Sequence, residues 1–224
     1  MAYILNLETA TTNCSVSLGK DGQQIALREQ NSPNYSHSEQ LHIFIREALE
    51  EASLSLGDLD AIAVSKGPGS YTGLRIGVSA AKGLCFSLDL PLIAVPTLES
   101  MAHQPLSKEV DIIIPALDAR RMEVYAAVFN KEFQELRETR AEIVDENSFG
   151  DYKEMGQVCI VGSGAAKCQE LLQHPNFCFD TAVVPSAREM CALSFLKYDR
   201  KDFEDVAYFE PYYLKDFILQ GKKT

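Results

Sequence analysis

The sequence predicts an α/β protein of two lobes, each a mixed sheet with helices packed on it. Three observations carry that prediction. The first half reads as three strands, a helix, a strand, a helix and a strand, an order that combines antiparallel hairpins with helical crossovers. A similar run of elements starts again at Ile112. Between the two lies Thr97 to Asp111, a hinge without the composition of a flexible linker, which places an N-terminal lobe at residues 1–104 and a C-terminal lobe at residues 105–224.

Each element has its own signal. Tyr3-Ile4-Leu5-Asn6-Leu7 is a buried strand, and Cys14-Ser15-Val16-Ser17-Leu18 alternates as a second. Lys20-Asp21-Gly22 turns the chain into a returning strand, Gln24 to Leu27. Asn31 to Asn34 is a polar loop, and Ser36-His37-Ser38-Glu39 is a capping box that opens a helix with Leu41, Phe44, Ile45, Ala48 and Ala52 on one face. Leu59 to Val64 is a strand, Thr72 to Leu88 a helix, and Leu92 to Val95 a strand stopped by Pro96. In the second half, Ile112 to Leu117, Glu123 to Phe129 and Phe133 to Val144 are strands, the first two joined by the turn Asp118-Ala119-Arg120-Arg121. A short helix near Ser148 to Glu154 precedes the strand Val158 to Val161. Gly162-Ser163-Gly164 turns into a helix ending near Leu172, and the second capping box, Ser186 to Glu189, opens a helix to Tyr198.

Composition narrows the function. The chain has 224 residues, 46% of them hydrophobic, enough for a sizeable core. With 21 basic against 32 acidic residues it carries −11, so no broad nucleic-acid surface is expected and any contact with RNA is local or supplied by a partner. Cys14, Cys85, Cys159, Cys168, Cys178 and Cys191 have no paired C-x-x-C spacing and read as buried thiols of a reducing compartment. Nothing near Met1 resembles a signal peptide, and no apolar run approaches the roughly 18 residues of a membrane span. The expected location is the cytoplasm, with no membrane partner.

The stretch from Ser65 to Leu88 is the most distinctive. Gly67 and Gly69 permit unusual backbone angles around Pro68, and Ser70 or Thr72 can cap the helix that follows. A helix N-terminus under a Gly-rich loop can hold an anion, with Arg75 adding charge, but Leu74-Arg75 stands where a Walker loop has Lys-Ser/Thr. The alternative is a sharp strand-to-helix turn. Leu74, Val78, Ala81, Cys85 and Leu88 make one apolar stripe, and Gly73, Gly77 and Ala80 a strip of small residues beside it. Glycine inside a helix costs roughly 1 kcal/mol against alanine, so Gly73, Gly77 and Gly83 call for the close approach of another backbone, the chain's own or a partner's.

Two such halves describe the actin/sugar kinase/Hsp70-like architecture, whose ribonuclease-H-like lobes clasp ATP. The hairpin turns that would hold phosphate and metal are degenerate here: Glu8-Thr9-Ala10-Thr11-Thr12 has Glu for Asp and Ala for Gly, and Asp118-Ala119-Arg120-Arg121 has two large cations. Glu8, Thr11, Gly69, Arg75, Asp118, Gly162 and Gly164 are the candidates for an anion or nucleotide contact, and for Glu8 a hydrogen bond to its own loop is favoured. No metal site is expected. His37 and His42 are five apart, which puts about 140° between them on a helix where a ligand pair wants about 40°. His103 and His174 have no neighbours at ligand spacing, and Ser70 is in the wrong register for a nucleophile elbow.

Several of these motifs together resemble the bacterial TsaB family. They are Glu8-Thr9-Ala10-Thr11, His37-Ser38-Glu39, Gly67-Pro68-Gly69-Ser70-Tyr71-Thr72-Gly73-Leu74-Arg75, Asp118-Ala119-Arg120-Arg121-x-Glu123-Val124-Tyr125 and Pro211-x-Tyr213-Leu214-Lys215. The resemblance implies a non-catalytic partner of the TsaD transferase, which places threonylcarbamoyl on the adenosine 3′ of the tRNA anticodon, with a TsaE-type ATPase joining the assembly. It implies no cofactor on this chain, ATP and a metal ion belonging to the partner subunits, and contact with tRNA only through the complex. It also implies pairing through the N-terminal half, as a heterodimer with TsaD or as a homodimer. Tyr71, Gly73, Leu74, Gly77, Val78, Ala80 and Ala81 are the interface residues expected on that helix, and Gly77→Leu is the substitution expected to break it. An ATP-binding enzyme of the same fold is the alternative, and a metallopeptidase is disfavoured by the histidine spacing.

Overall fold

The structure is a computed structural model that describes residues 1–33, 37–106 and 109–215. Its first sheet contains β1 (Tyr3–Glu8), β2 (Asn13–Lys20), β3 (Gln23–Asn31), β4 (Ala61–Ser65) and β5 (Leu92–Val95), in the order β3-β2-β1-β4-β5. The hairpin strands are antiparallel, and β1, β4 and β5 run parallel. The second sheet contains β6 (Ile112–Asp118), β7 (Glu123–Asn130), β8 (Glu135–Ile143), β9 (Val158–Val161) and β10 (Phe177–Asp180), in the order β10-β9-β6-β7-β8. It repeats the first sheet strand for strand, with β6 in the place of β1. This is the actin/sugar kinase/Hsp70-like duplication. The edge strand β10 has no counterpart in the sequence reading; its four residues are all half-buried and too few to show a period.

Helices α1 (His37–Glu51) and α2 (Tyr71–Leu88) cover one face of the first sheet, where Leu41, Ile45, Val78, Ala81 and Cys85 pack on Leu5, Leu7, Val16, Leu18 and Val64. Ser36, the cap expected for α1, lies outside the described residues. The hinge expected between the lobes contains a helix, α3 (Thr97–Ala102), and α3 sits on the second sheet, with Leu98, Met101 and Ala102 against Ile113, Leu117, Ala127 and Phe129. Helix α4 (Ala165–Leu171) covers that sheet's other face.

The last helix, α5 (Ala187–Asp199), departs from the boundary at residue 104. It lies on the first sheet, where Ala187, Met190 and Leu193 pack on Ile4, Ala61, Ala63, Ile93 and Val95. Ser186 is its cap, Oγ accepting from the Arg188 N–H at 3.2 Å, but the expected capping box does not close, because the Glu189 carboxylate makes no return bond to Ser186 and its Oε2 is buried without a hydrogen-bond partner. The alternation of β2 has its explanation here. Cys14, Val16 and Leu18 face the α1/α2 core, while Ser15 and Ser17 bond α5: the Ala187 N–H donates to Ser15 Oγ (3.0 Å), and Ser17 Oγ donates to the Ala187 carbonyl (2.6 Å). Polar residues of an alternating strand thus point into a second buried layer. Each lobe ends in a helix that serves the other lobe's sheet.

Beyond α5 the chain returns along the first lobe. The Glu204 N–H donates to the Leu92 carbonyl (2.8 Å), Val206 and Phe209 join the first core, and Lys82 Nζ donates to the carbonyls of Ala207 and Phe209, each at 3.0 Å. The Tyr212 N–H then reaches the Lys66 carbonyl (2.7 Å), and Lys215 pairs with Glu123 of the second lobe. Among the described residues no helix is long and apolar enough to cross a membrane.

Candidate functional site

The loop between β4 and α2 is built to receive the turn between β1 and β2. Gly67 has a φ of 104° and is joined to Pro68 by a cis peptide bond. The Ser70 N–H donates to the Ala10 carbonyl at 2.6 Å, and Ser70 Oγ caps α2 by accepting from the Gly73 N–H at 3.3 Å. A Cβ on Gly69 would stand 2.4 Å from the Ala10 carbonyl oxygen, one on Gly73 2.1 Å from that of Thr9, and one on Gly77 2.3 Å from Thr9 Oγ1. Thr9 Oγ1 in turn donates to the Gly73 carbonyl (2.8 Å). The close approach that these glycines permit is therefore that of the chain's own hairpin.

That corrects the interface expected from the sequence. Gly73, Leu74, Gly77, Val78 and Ala81 are buried within the lobe, because Gly73 and Gly77 meet the β1–β2 turn at Thr9 and the apolar stripe faces the sheet. Gly77→Leu consequently tests packing against Thr9, not docking. Of the seven expected residues only Tyr71 and Ala80, both half-buried, border the outward side. There, Thr72, Arg75, Ile76, Ser79, Ala80 and Gly83 line a groove of about 710 Å³ with Ser38 and His42 of α1. Gly83 has no atom beyond its own helix within 4 Å of where a Cβ would stand, and Phe86, on the next turn, is 87% exposed. The signal for this face was in the sequence: residues 72, 75, 76, 79, 80 and 83 share a helical period opposite to that of Leu74, Val78, Ala81 and Cys85.

Arg75 is engaged at the rim. Its guanidinium lies 4.2 Å from the Tyr71 ring and bonds Tyr213, whose ring is 5.0 Å from that of Tyr71; Tyr213 is the first contributor to holding the guanidinium's pKa above its usual value. The motif Pro211-x-Tyr213-Leu214-Lys215 thus closes over the Gly67–Ser70 loop and the start of α2.

The other candidates for anion contact are occupied by the chain itself. Glu8 is fully buried; its Oε1 accepts from the Ala10 N–H (2.6 Å) and from the Ser65 hydroxyl (2.8 Å), as favoured from the sequence. Burial is the main cause that raises its pKa from the ordinary 4.5 to about 7, against the lowering by those hydrogen bonds, and Oε2, buried without a hydrogen-bond partner, suits the neutral acid. The Thr11 carbonyl is 2.7 Å from His37 Nε2, and burial lowers the His37 pKa against the opposing effect of that bond. Asp118 Oδ1 meets Lys167 Nζ at 2.6 Å and the Arg120 N–H at 2.6 Å. A Cβ on Gly162 would meet Met101 at 2.4 Å and the Ala116 carbonyl at 2.6 Å, and one on Gly164 would meet Val124 at 2.9 Å, so packing accounts for both glycines.

Between the lobes lies a cleft of about 340 Å³ that includes Glu99, Glu135 and Glu138 against Lys66, a charge balance that repels phosphate. Among the described residues no three His, Cys, Asp or Glu side chains converge as a metal site. Burial raises the thiol pKa of Cys14, Cys85 and Cys168 to about 12, which removes them as nucleophiles.

Known proteins share this arrangement. Residues 32–216 match the family model described as TsaD, tRNA N6-adenosine threonylcarbamoyltransferase. The chain is 30% identical, over 98% of its length and 96% of the other's, to the tRNA threonylcarbamoyladenosine biosynthesis protein TsaB of Haemophilus influenzae. It is 33% identical to the tRNA N6-adenosine threonylcarbamoyltransferase of Bacillus subtilis over 51% of this chain and 37% of that one. A Pseudomonas aeruginosa structure, described as an uncharacterized protein with similarity to peptidase YEAZ, superposes with a TM-score of 0.85 at 26% identity, covering 96% of this chain and all of that one.

Proposed function

The chain belongs to the TsaB family, and on that premise we propose that it is a non-catalytic subunit for threonylcarbamoyladenosine formation on tRNA, pairing with a TsaD-type transferase through the outward face of α1 and α2. The observation that carries the proposal is Gly83. Two of the three glycines in α2 are accounted for by Thr9, whereas Gly83 lines the groove and a Cβ there would meet nothing beyond its own helix. A helix that forgoes roughly 1 kcal/mol at an exposed position leaves room there for close approach of a second helix. The kinship with a transferase supports the choice of partner, since two related chains can meet face to face about a near-two-fold axis, and a second copy of this chain can take the same place.

In this reading the chain needs no cofactor, ATP and a metal ion serve the transferase and a TsaE-type ATPase, and the work is done in the cytoplasm. Support comes from the state of the phosphate-binding turns: Glu8 and Asp118 are engaged inside the chain, and Gly69, Gly162 and Gly164 are backed by its own atoms. The test is reconstitution of tRNA modification with transferase and ATPase, with and without this chain. Modification should require it, and a transferase that works equally well alone refutes the reading. Calorimetry of the isolated chain with Mg-ATP decides against the enzyme alternative: no saturable heat is expected, and tight binding with turnover would overturn the non-catalytic assignment.

A further inference from the structure

The hairpin between β6 and β7 carries a charge that pairing through α1 and α2 does not use. Arg120 and Arg121 stand exposed at its tip with φ of 69° and 52°, a region where glycine and asparagine are the ordinary occupants. Two long cationic side chains there hold the backbone in strain at a surface position, which points to a use for the charges themselves. The carboxylates of the same hairpin are already neutralised from other elements, Asp118 by Lys167 and Glu123 by Lys215. Of the other arginines, Arg28, Arg46, Arg137, Arg140 and Arg188 each sit on a carboxylate and Arg75 on the Tyr71 ring, while Arg200, at the end of α5, has no carboxylate partner among the described residues. Among the described residues, neither Arg120 nor Arg121 has an ion pair or a side-chain hydrogen bond. On a chain of net charge −11 the tip is thus a local spot of two uncompensated guanidiniums, with Met122 exposed beside them.

We propose that this tip contacts the phosphodiester backbone of the tRNA held by the assembled complex, an inference that rests on the function proposed above. Guanidinium forks match phosphate oxygens in pairs and give affinity without reading sequence. A free nucleotide fits less well, because the neighbouring Gly162 and Gly164 are backed by Ala116 and Val124 and leave no concave seat, whereas a projecting tip suits an extended polyanion running past it.

The test uses the complex of this chain with transferase and ATPase, labelled tRNA, and a salt series from about 50 to 200 mM. The variant Arg120→Asn/Arg121→Gly keeps the left-handed turn and removes both charges; Arg120→Lys/Arg121→Lys keeps the charges. The first should bind tRNA roughly tenfold more weakly, with the slope of log affinity against log salt shallower by about 1.5 to 2, and the second should retain most of both. Size-exclusion chromatography and thermal unfolding should show each variant folded and assembled. An assembled Asn/Gly variant with unchanged affinity and slope overturns the proposal. So does a folded variant that fails to assemble, which would give the tip to an acidic protein surface. A wild-type chain that forms no complex removes the functional reading instead, and this proposal with it.

Discussion

Replacing the glycines of α2 by alanine, one at a time, separates the inner face of the helix from the outer. The gain in helix propensity is the same at each site, about 1 kcal/mol. At Gly83 nothing beyond the helix lies within 4 Å of the new methyl, so the gain is kept and the melting temperature should rise by about 2–4 °C. At Gly77 the methyl would lie 2.3 Å from Thr9 Oγ1 and 3.4 Å from Thr9 Cβ. Thr9 is fully buried and must turn away, which costs about 1–3 kcal/mol in overpacking and about 1 kcal/mol for its bond to the Gly73 carbonyl. The net effect is a loss of about 1–3 kcal/mol. At Gly73 the methyl would lie 2.1 Å from a backbone oxygen that cannot rotate away, so the hairpin itself must move and the loss should be larger still. Thermal unfolding should therefore rank Gly83→Ala above wild type, then Gly77→Ala, then Gly73→Ala. Binding to the transferase completes the experiment: Gly83→Leu should raise the melting temperature much as alanine does and weaken binding at least about tenfold, the equivalent of about 1.4 kcal/mol. If Gly83→Ala destabilises as much as Gly77→Ala, the assignment of faces is wrong. If Gly83→Leu binds like wild type, the partner docks elsewhere.

Glu8 makes a pH prediction. Its folded pKa of about 7 lies above the ordinary 4.5, so the folded protein holds a proton that the unfolded chain releases, and stability falls as pH rises from 4.5 to 7 and stays level above that. The loss is on the order of 3 kcal/mol. Glu8→Gln keeps an acceptor for Ala10 and Ser65 and has no such window, so its stability relative to wild type in urea should increase between pH 5 and pH 8; a pH-independent difference would refute this. The tail offers a second test. Tyr213→Ala removes a ring pair worth about 1 kcal/mol, and amide exchange at Leu74 and Arg75 should quicken about fivefold. Unchanged exchange would mean that the tail does not hold the start of α2.

Much of the fold was legible because local chemistry and final structure agree. Buried strands such as Ile112 to Leu117 announce themselves as apolar runs, and Ser70 caps α2 because its hydroxyl is placed before a helix whose first amides lack partners. The exchange of α3 and α5 between lobes was not legible, since an amphipathic helix carries no mark of which sheet it will cover. Nor was the direction of the small strip. Gly73, Gly77 and Gly83 look alike in sequence, and what distinguishes them is Thr9, more than 60 residues away along the chain. The outward groove has a period of its own, residues 72, 75, 76, 79, 80 and 83, but the apolar and small residues of α2 that stand out most mark the face that the lobe buries.

Periodicity, turn chemistry and motif were enough to establish two ribonuclease-H-like halves and the kinship. These are properties of short stretches, decided by backbone preference and by the order of elements along the chain. Only tertiary structure decided which side of α2 meets its own hairpin and which faces outward, that Glu8 is buried beneath the loop with its pKa raised, and that two arginines at a hairpin tip stand without an ion pair among the described residues. Each of these depends on burial and on atoms brought together from distant positions, because dielectric, contact distance and charge compensation belong to the folded neighbourhood.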